Sequence, residues 1–422
     1  MSTEDRIVVK GGKKLEGDVT VGGSKNAAVA IICASAMVKG KVFLENVPRI
    51  TDIQVLLETL KQIGASVQWT GDKTVEVDAT GVNSPICDNP DLSTLRGSYY
   101  FVGSLLGRFR QAKVVFPGGC NFAPRPIDQH VYAFETLGAS VETTGGYITA
   151  KTKKLVGNSI YFDNYSVGAT INSILTATLA EGTTTIENAN REPHVVDVAN
   201  FLNMMGADIK GAGTNAIRIK GVKELTGGRS YSICPDMIEA GTLMIAAAAT
   251  KGTVTLHNVM PEHMDALSMK LTEMGVTVEA MDDSITVKAN VKRVKNTNIK
   301  TMPYPGFPTD LHPQFATLLS VADGESRITE GVFPTRFQYV EQLQKLGANI
   351  QLSGESAIIK GVPKLIGAPV LPTDLRAAAA MVIAGLMAEG QTTIYNLEYL
   401  DRGYEDFIKK LQSLKAVIER GK

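Results

Sequence analysis

Ile63-Gly64-Ala65-Ser66-Val67 returns along the chain as Leu137-Gly138-Ala139-Ser140-Val141, Met205-Gly206-Ala207-Asp208-Ile209, Met274-Gly275-Val276-Thr277-Val278 and Leu346-Gly347-Ala348-Asn349-Ile350. A degraded sixth copy is Leu414-Lys415-Ala416-Val417-Ile418. The second residues of these copies, at 64, 138, 206, 275, 347 and 415, lie 74, 68, 69, 72 and 68 residues apart. A sustained period marks a repeated supersecondary unit, and six units of about 70 residues fill the chain.

A second landmark precedes the first by 23 to 25 residues: Gly40, Gly182, Gly252, Gly324 and Gly390. Between the two landmarks lie an alternating strand such as Thr253–His257, a loop, and an amphipathic helix such as 265–274. The glycine of the first landmark stands where a helix end takes a left-handed residue. Before each second landmark runs a helix of small and apolar residues, expected over 26–38, 99–107, 169–180, 240–249, 314–322 and 376–388. A helix apolar on every side is buried on every side. Its place is the centre of a ring of sheets and amphipathic helices, and two closed three-repeat α/β domains are the expected arrangement.

Composition narrows the function. The 422 residues are 44% hydrophobic and 20% charged, with Lys plus Arg and Asp plus Glu balanced at 43 each. No basic excess is available for nucleic acid or an acidic membrane surface. The two longest near-continuous apolar runs, 27–38 and 377–388, are 12 residues each, short of the roughly 20 that cross a bilayer. The opening MSTEDRIVVK lacks the pattern of a signal peptide, and a cytoplasmic location is expected. Cys33, Cys87, Cys120 and Cys234 form neither a CxxC pair nor a disulfide framework, and His130, His194, His257, His263 and His312 lack metal-ligand spacing. A metal or other cofactor is not expected.

Each repeat offers two loops suited to a ligand, one before the buried helix and one before the amphipathic helix. The first set includes Gly23-Ser24-Lys25-Asn26, Leu95-Arg96-Gly97-Ser98, Ser166-Val167-Gly168, Pro308-Thr309-Asp310 and Asp374-Leu375-Arg376; the second holds Arg49, Arg125, Arg191, Arg336 and Arg402. Cations at helix starts work against the helix dipole and in favour of an anion. Their recurrence at equivalent corners points to a ligand rich in phosphate and carboxylate.

The second repeat departs most from the pattern, with Pro117-Gly118-Gly119-Cys120-Asn121-Phe122-Ala123-Pro124-Arg125-Pro126-Ile127-Asp128-Gln129-His130 in place of a short loop. Together with Gly23–Ala28, Pro305-Gly306-Phe307-Pro308-Thr309-Asp310 and Asp401-Arg402-Gly403-Tyr404-Glu405, it closely resembles the UDP-N-acetylglucosamine 1-carboxyvinyltransferase family over essentially the full length. The resemblance implies two inside-out α/β barrel domains, each of three repeats around buried central helices. These would be residues 22–233, and residues 1–21 with 234–422, with substrates in the cleft between them. It also implies phosphoenolpyruvate and UDP-N-acetylglucosamine as partners.

By the same resemblance, Cys120 is the general acid and Asp310 the base at the sugar hydroxyl. Lys25, Arg125 and Arg402 meet the phosphate of phosphoenolpyruvate, and Arg336 and Arg376 lie near its carboxylate; Asn26 joins them. Asn26, Arg96, Arg125, Pro126, Ile127, Asp128, Gln129, Ser166, Val167, Gly168, Asp310 and Val332 fall on positions that cradle the UDP-sugar. Plainer alternatives are a solvated salt bridge for a single arginine, a helix cap for Asp310 and loop packing for the UDP-sugar set. Cys33, Cys87 and Cys234 read as packed cysteines. Two other functions share enough of the pattern to be weighed: 5-enolpyruvylshikimate-3-phosphate synthase, and a non-catalytic protein that senses UDP-sugars.

Overall fold

The computed structural model describes residues 5–118 and 126–421. Their chain divides into two compact units: a split unit of residues 5–22 and 235–421, and a contiguous unit within 23–234. Each unit has its own hydrophobic core.

Six four-stranded sheets carry the repeats. In the contiguous unit, strand Lys41–Glu45 pairs antiparallel with Val75–Asp78, which pairs with Ser66–Trp69. The free edge of Lys41–Glu45 takes a parallel strand, Arg229–Ser232, from the end of the third repeat. The second and third repeats build the same order around Gln111–Val115 and Thr183–Glu187. In the split unit, Thr253–His257 and Glu325–Thr329 hold the corresponding place. The last sheet is completed from the other end of the chain. Arg6–Lys10 lies between Gln391–Ile394 and Val417–Gly421, antiparallel to both. Glu16–Thr20 then supplies the parallel edge of the Thr253–His257 sheet.

Alternation explains how these strands sit. Thr253–His257 buries Val254 and Leu256 and turns its other side chains outward, the period-two pattern of a sheet with one covered face. The helices follow the composition. Lys25–Ser35, Val167–Thr178, Met237–Ala249 and Leu375–Met387 bury nearly every residue, because alanine, glycine and serine let neighbours approach from all sides. Tyr100–Phe109 and His312–Leu319 complete the six.

The helix limits differ by up to three residues from those expected. The starts move because of capping: Asp236 accepts from the Ile238 and Glu239 N–H groups, which carries the fourth helix back to Met237. The fifth helix stops at Leu319 because Val321 and Ala322 close tighter bonds to Leu318 and Leu319. The landmark glycines 64, 138, 206, 275 and 347 all have φ between 90° and 107°, and Lys415 takes the same left-handed place at 69°. Among the described residues, no helix is long and apolar enough to cross a membrane. Nor, among them, do three or more His, Cys, Asp or Glu side chains gather where they could hold a metal ion.

Candidate active site

In the split unit, the turn Thr309–Leu311 leads into His312–Leu319 and presents Asp310 to two arginines. Arg336 Nη1 donates to Asp310 Oδ1 at 2.8 Å, and Arg376 donates to Oδ2 from Nη2 at 2.9 Å and Nε at 3.2 Å. The arginine side chains are 3% and 4% exposed, against 27% for Asp310. Both carboxylate oxygens are therefore occupied by guanidinium, and the carboxylate is not spent on a helix cap.

Arg376 is held in the first turn of Leu375–Met387. Asp374 caps that helix by accepting from the Arg376 and Ala377 N–H groups at 2.9 and 3.0 Å. The Arg376 guanidinium lies 5.4 Å from the Tyr404 ring, and the Tyr404 hydroxyl meets Thr242 Oγ1 at 2.9 Å and accepts from Gln314 Nε2 at 3.2 Å. Arg402 follows the short helix Glu398–Asp401. The next residue, Gly403, is pressed against Leu375, where a Cβ would fall 2.6 Å from Leu375 Cδ2, so this segment is seated on the start of the Arg376 helix.

Two buried guanidiniums converge on the one carboxylate of Asp310. Burial pushes the Asp310 carboxyl up, but Arg376 and then Arg336 overcome it and hold the group far below the usual carboxylate range. While both arginines grip it, Asp310 is a weak base.

The contiguous unit gathers a different set. Lys25 and Asn26 open the helix Lys25–Ser35, capped by Ser24, which accepts from the Ala27 N–H at 3.3 Å. Lys25 Nζ pairs with Asp52 at 2.7 Å, the two side chains 12% and 3% exposed. Gly97 lets the Arg96 turn lie on this helix, since a Cβ there would fall 2.2 Å from Val29 Cγ1. The Arg96 guanidinium stands 5.4 Å from the Tyr99 ring, which in turn lies 4.5 Å from the His130 ring. At Gly168 a Cβ would meet Tyr99 Oη at 2.4 Å and His130 Nε2 at 2.8 Å, so Arg96, Tyr99, His130 and Gly168 share one corner.

Ser166 caps Val167–Thr178 by accepting from the Ala169 N–H at 3.2 Å. Pro126 and Ile127 lead into Asp128–Thr136, whose first turn holds Asp128 and Gln129. Burial pulls the His130 imidazole down to about 3, with Arg96 adding to the effect. The neutral ring accepts from Asn172 Nδ2 at Nδ1, 2.9 Å away, so its proton sits on Nε2.

Cys120 and Arg125 lie outside the described residues. Cys33 and Cys87 are buried, and burial pushes both thiols up, away from the reactive thiolate. Val332 is tied through its N–H to Glu330 Oε1 at 2.9 Å. Sequence reasoning missed Asp52, Glu330 and Tyr404, buried partners of Lys25, Val332 and Arg376, and His312 and Tyr339, buried behind Glu330.

Comparison with known proteins gives this geometry a family. A family described as EPSP synthase (3-phosphoshikimate 1-carboxyvinyltransferase) matches residues 9–411. UDP-N-acetylglucosamine 1-carboxyvinyltransferase from Clostridium botulinum is 51% identical over 416 residues, covering 98% of this chain and 99% of that protein. Among solved structures, the enolpyruvyl transferase NikO from Streptomyces tendae superposes with a TM-score of 0.90 at 26% identity, covering 99% of each chain. EPSP synthase from Acinetobacter baumannii gives 0.77 at 20% identity over 99% of this chain and 100% of that one, a likeness of fold. The chain belongs to the enolpyruvyl transferase family typified by EPSP synthase (3-phosphoshikimate 1-carboxyvinyltransferase).

Proposed function

We propose that this protein transfers the enolpyruvyl group of phosphoenolpyruvate to the 3′-hydroxyl of UDP-N-acetylglucosamine and releases phosphate, the first committed step of peptidoglycan synthesis. The observation that carries the reading is the convergence of two buried arginines, Arg336 and Arg376, on the carboxylate of Asp310. The acceptor sugar is that of the reaction for which the Clostridium botulinum relative is named.

In this reading a proton from Cys120 adds to the methylene carbon of phosphoenolpyruvate while the sugar oxygen bonds to the adjacent carbon. Asp310 takes the hydroxyl proton. Loss of phosphate and of a methyl proton then restores the double bond. Lys25, Arg125 and Arg402 receive the phosphate, with Asn26 beside them, and Arg336 and Arg376 receive the substrate carboxylate. Drawing the arginines onto that carboxylate loosens their grip on Asp310 and raises its basicity, which couples substrate binding to the base. Arg96, Arg125, Pro126, Ile127, Asp128, Gln129, Ser166, Val167, Gly168 and Val332 hold the UDP-sugar.

Each unit is read as an inside-out barrel of three repeats about its buried helices, and the reaction is placed in the cytoplasm. Phosphate release decides the substrate. UDP-N-acetylglucosamine with phosphoenolpyruvate should release phosphate, and shikimate 3-phosphate in its place should not. The reverse result would assign the 5-enolpyruvylshikimate-3-phosphate synthase reaction. Silence with both, alongside UDP-sugar binding, would indicate a sensor.

A further inference from the structure

Six residues after the second landmark glycine, four repeats carry an asparagine: Asn46, Asn188, Asn258 and Asn396. All four have φ of 55° or 56°. Each donates its side-chain N–H to a carbonyl just past the parallel edge strand of its own sheet: Ile233, Phe162, Val21 and Pro372, at 2.8 to 3.0 Å. A left-handed asparagine turns the chain out of the strand and ties the turn down. In the fifth repeat the same position is Glu330.

Glu330 is fully buried and accepts five hydrogen bonds. Oε1 takes the Thr301 hydroxyl at 2.6 Å and the Val332 and Phe333 N–H groups at 2.9 Å; Oε2 takes the Thr309 hydroxyl at 3.0 Å and His312 Nδ1 at 2.9 Å. Thr301 directly follows the edge strand Ile299–Lys300, so the tie made elsewhere by asparagine is kept. The other bonds are new. Although burial alone pushes the Glu330 carboxyl up, His312, Thr301 and the Phe333 N–H bring it down to about 2.

An ionised carboxylate only accepts, which fixes every proton around it. His312 must carry its proton on Nδ1. Burial keeps that ring neutral, so Nε2 accepts from the Tyr339 hydroxyl at 2.6 Å. The Thr309 hydroxyl must point its hydrogen at Glu330, which turns a lone pair toward Arg336 Nη1, 3.0 Å away. The same Nη1 donates to Asp310. The chain Glu330–Thr309–Arg336–Asp310–Arg376 is thus oriented from one buried charge.

We propose that Glu330 is a positioning residue for enolpyruvyl transfer: through Thr309 it aims Arg336 at the substrate carboxylate and Asp310 at the sugar hydroxyl, and through two backbone N–H groups it sets Val332. The inference rests on the reaction proposed above. A repeat position converted from a turn-forming asparagine to a desolvated acid has lost a cheap local fit, and among its new bonds the one through Thr309 reaches the arginine and aspartate beside it.

The test compares Thr309→Val, Thr309→Ser, Thr301→Val and Glu330→Gln with the parent for phosphoenolpyruvate KM, kcat, UDP-N-acetylglucosamine affinity and thermal midpoint. Thr309→Val should raise the phosphoenolpyruvate KM by about tenfold, the size of one lost charge-assisted bond. It should leave UDP-sugar affinity within about threefold, and Thr309→Ser should restore most of the loss. Thr301→Val touches Glu330 without reaching Arg336 and should move KM less than Thr309→Val. Glu330→Gln should match Thr309→Val and also abolish the slowly exchanging downfield proton resonance of His312 Nδ1–H. If Glu330→Gln does not fold, the two Thr309 variants decide. A parent inactive with both substrates sinks the reaction and this role with it. An active parent with a folded Thr309→Val variant of unchanged KM, or a serine no better than the valine, sinks the positioning role alone.

Discussion

The split unit strings Glu330, Arg336, Asp310 and Arg376 into one hydrogen-bonded chain, closed by Tyr339 through His312 at one end and flanked by Tyr404 beside Arg376 at the other. In the contiguous unit, Lys25 is paired with Asp52 and Arg96 is laid by the Tyr99 ring. A desolvated charge is tolerated only with partners. A chain of partners also fixes direction, because each group's hydrogens are dictated by the next. A pair fixes position more than direction. The first arrangement suits groups that must meet a reacting centre at one angle, and the second suits groups that must hold a charge.

The largest expected effect tests the chain itself. Asp310→Asn keeps the shape but removes the proposed acceptor of the hydroxyl proton, so turnover should fall on the order of 100-fold or more. Phosphoenolpyruvate should bind no more weakly, since Asp310 no longer competes for Arg336 and Arg376; calorimetry reads both substrates. Near-parent turnover would move the base elsewhere.

The local pair is tested next. Asp52→Asn removes the carboxylate paired with the nearly buried Lys25 ammonium, and the contiguous unit should lose about 3 kcal/mol. The only tryptophan in the sequence, Trp69, belongs to this unit, so its fluorescence during urea unfolding isolates the loss.

Acid separates the units more gently. His130 is held neutral in the folded state, down to about 3 from an ordinary 6.5. The unfolded chain therefore binds the extra proton, and this contribution to stability falls as pH drops from 6.5 toward 3. Glu330 is depressed from 4.5 to about 2, so its contribution is intact above 4.5 and lost as pH falls through 2. His130→Asn should flatten the Trp69-detected loss between pH 6.5 and 3, and Glu330→Gln should not.

The smallest effect concerns caps. Asp374 accepts from two N–H groups and Ser24 from one at 3.3 Å. Replacement of Asp374 by alanine should approach about 2 kcal/mol and that of Ser24 about 0.5–1 kcal/mol. Equal losses in denaturant titrations would mean that the number of accepted bonds does not set the difference.

The architecture was legible because it is written six times. A glycine such as Gly64 or Gly347 recurs at a helix end for a backbone reason, and the small-residue run 377–388 has no polar face to turn outward. The supports of the site were illegible for the opposite reason. Glu330 reads as an ordinary charge at a strand end, and Asp52 as a favourable acid in the first turn of an amphipathic helix. Their burial depends on partners 21 and 27 residues distant, Thr309 and Lys25. Aligning the repeats on the residue six after the second landmark glycine would have exposed Glu330 as the departure from asparagine. Nothing comparable marks His312 or Tyr404, whose roles emerge only once strand and helix are packed.

The placement of Arg6–Lys10 as an inner strand has a consequence for how the protein is made. Its two neighbours are 391–394 and 417–421. At roughly 5–20 residues per second, a ribosome needs on the order of 20 to 80 s to deliver them. The contiguous unit can be complete by then, while the first strand remains open on both edges, a template for any passing strand. A nascent chain stalled between 234 and 391 should thus resist protease in one unit and stay vulnerable at its beginning. A chaperone that shields residues 6–10 during synthesis would raise the yield of the finished protein more than one that acts after release.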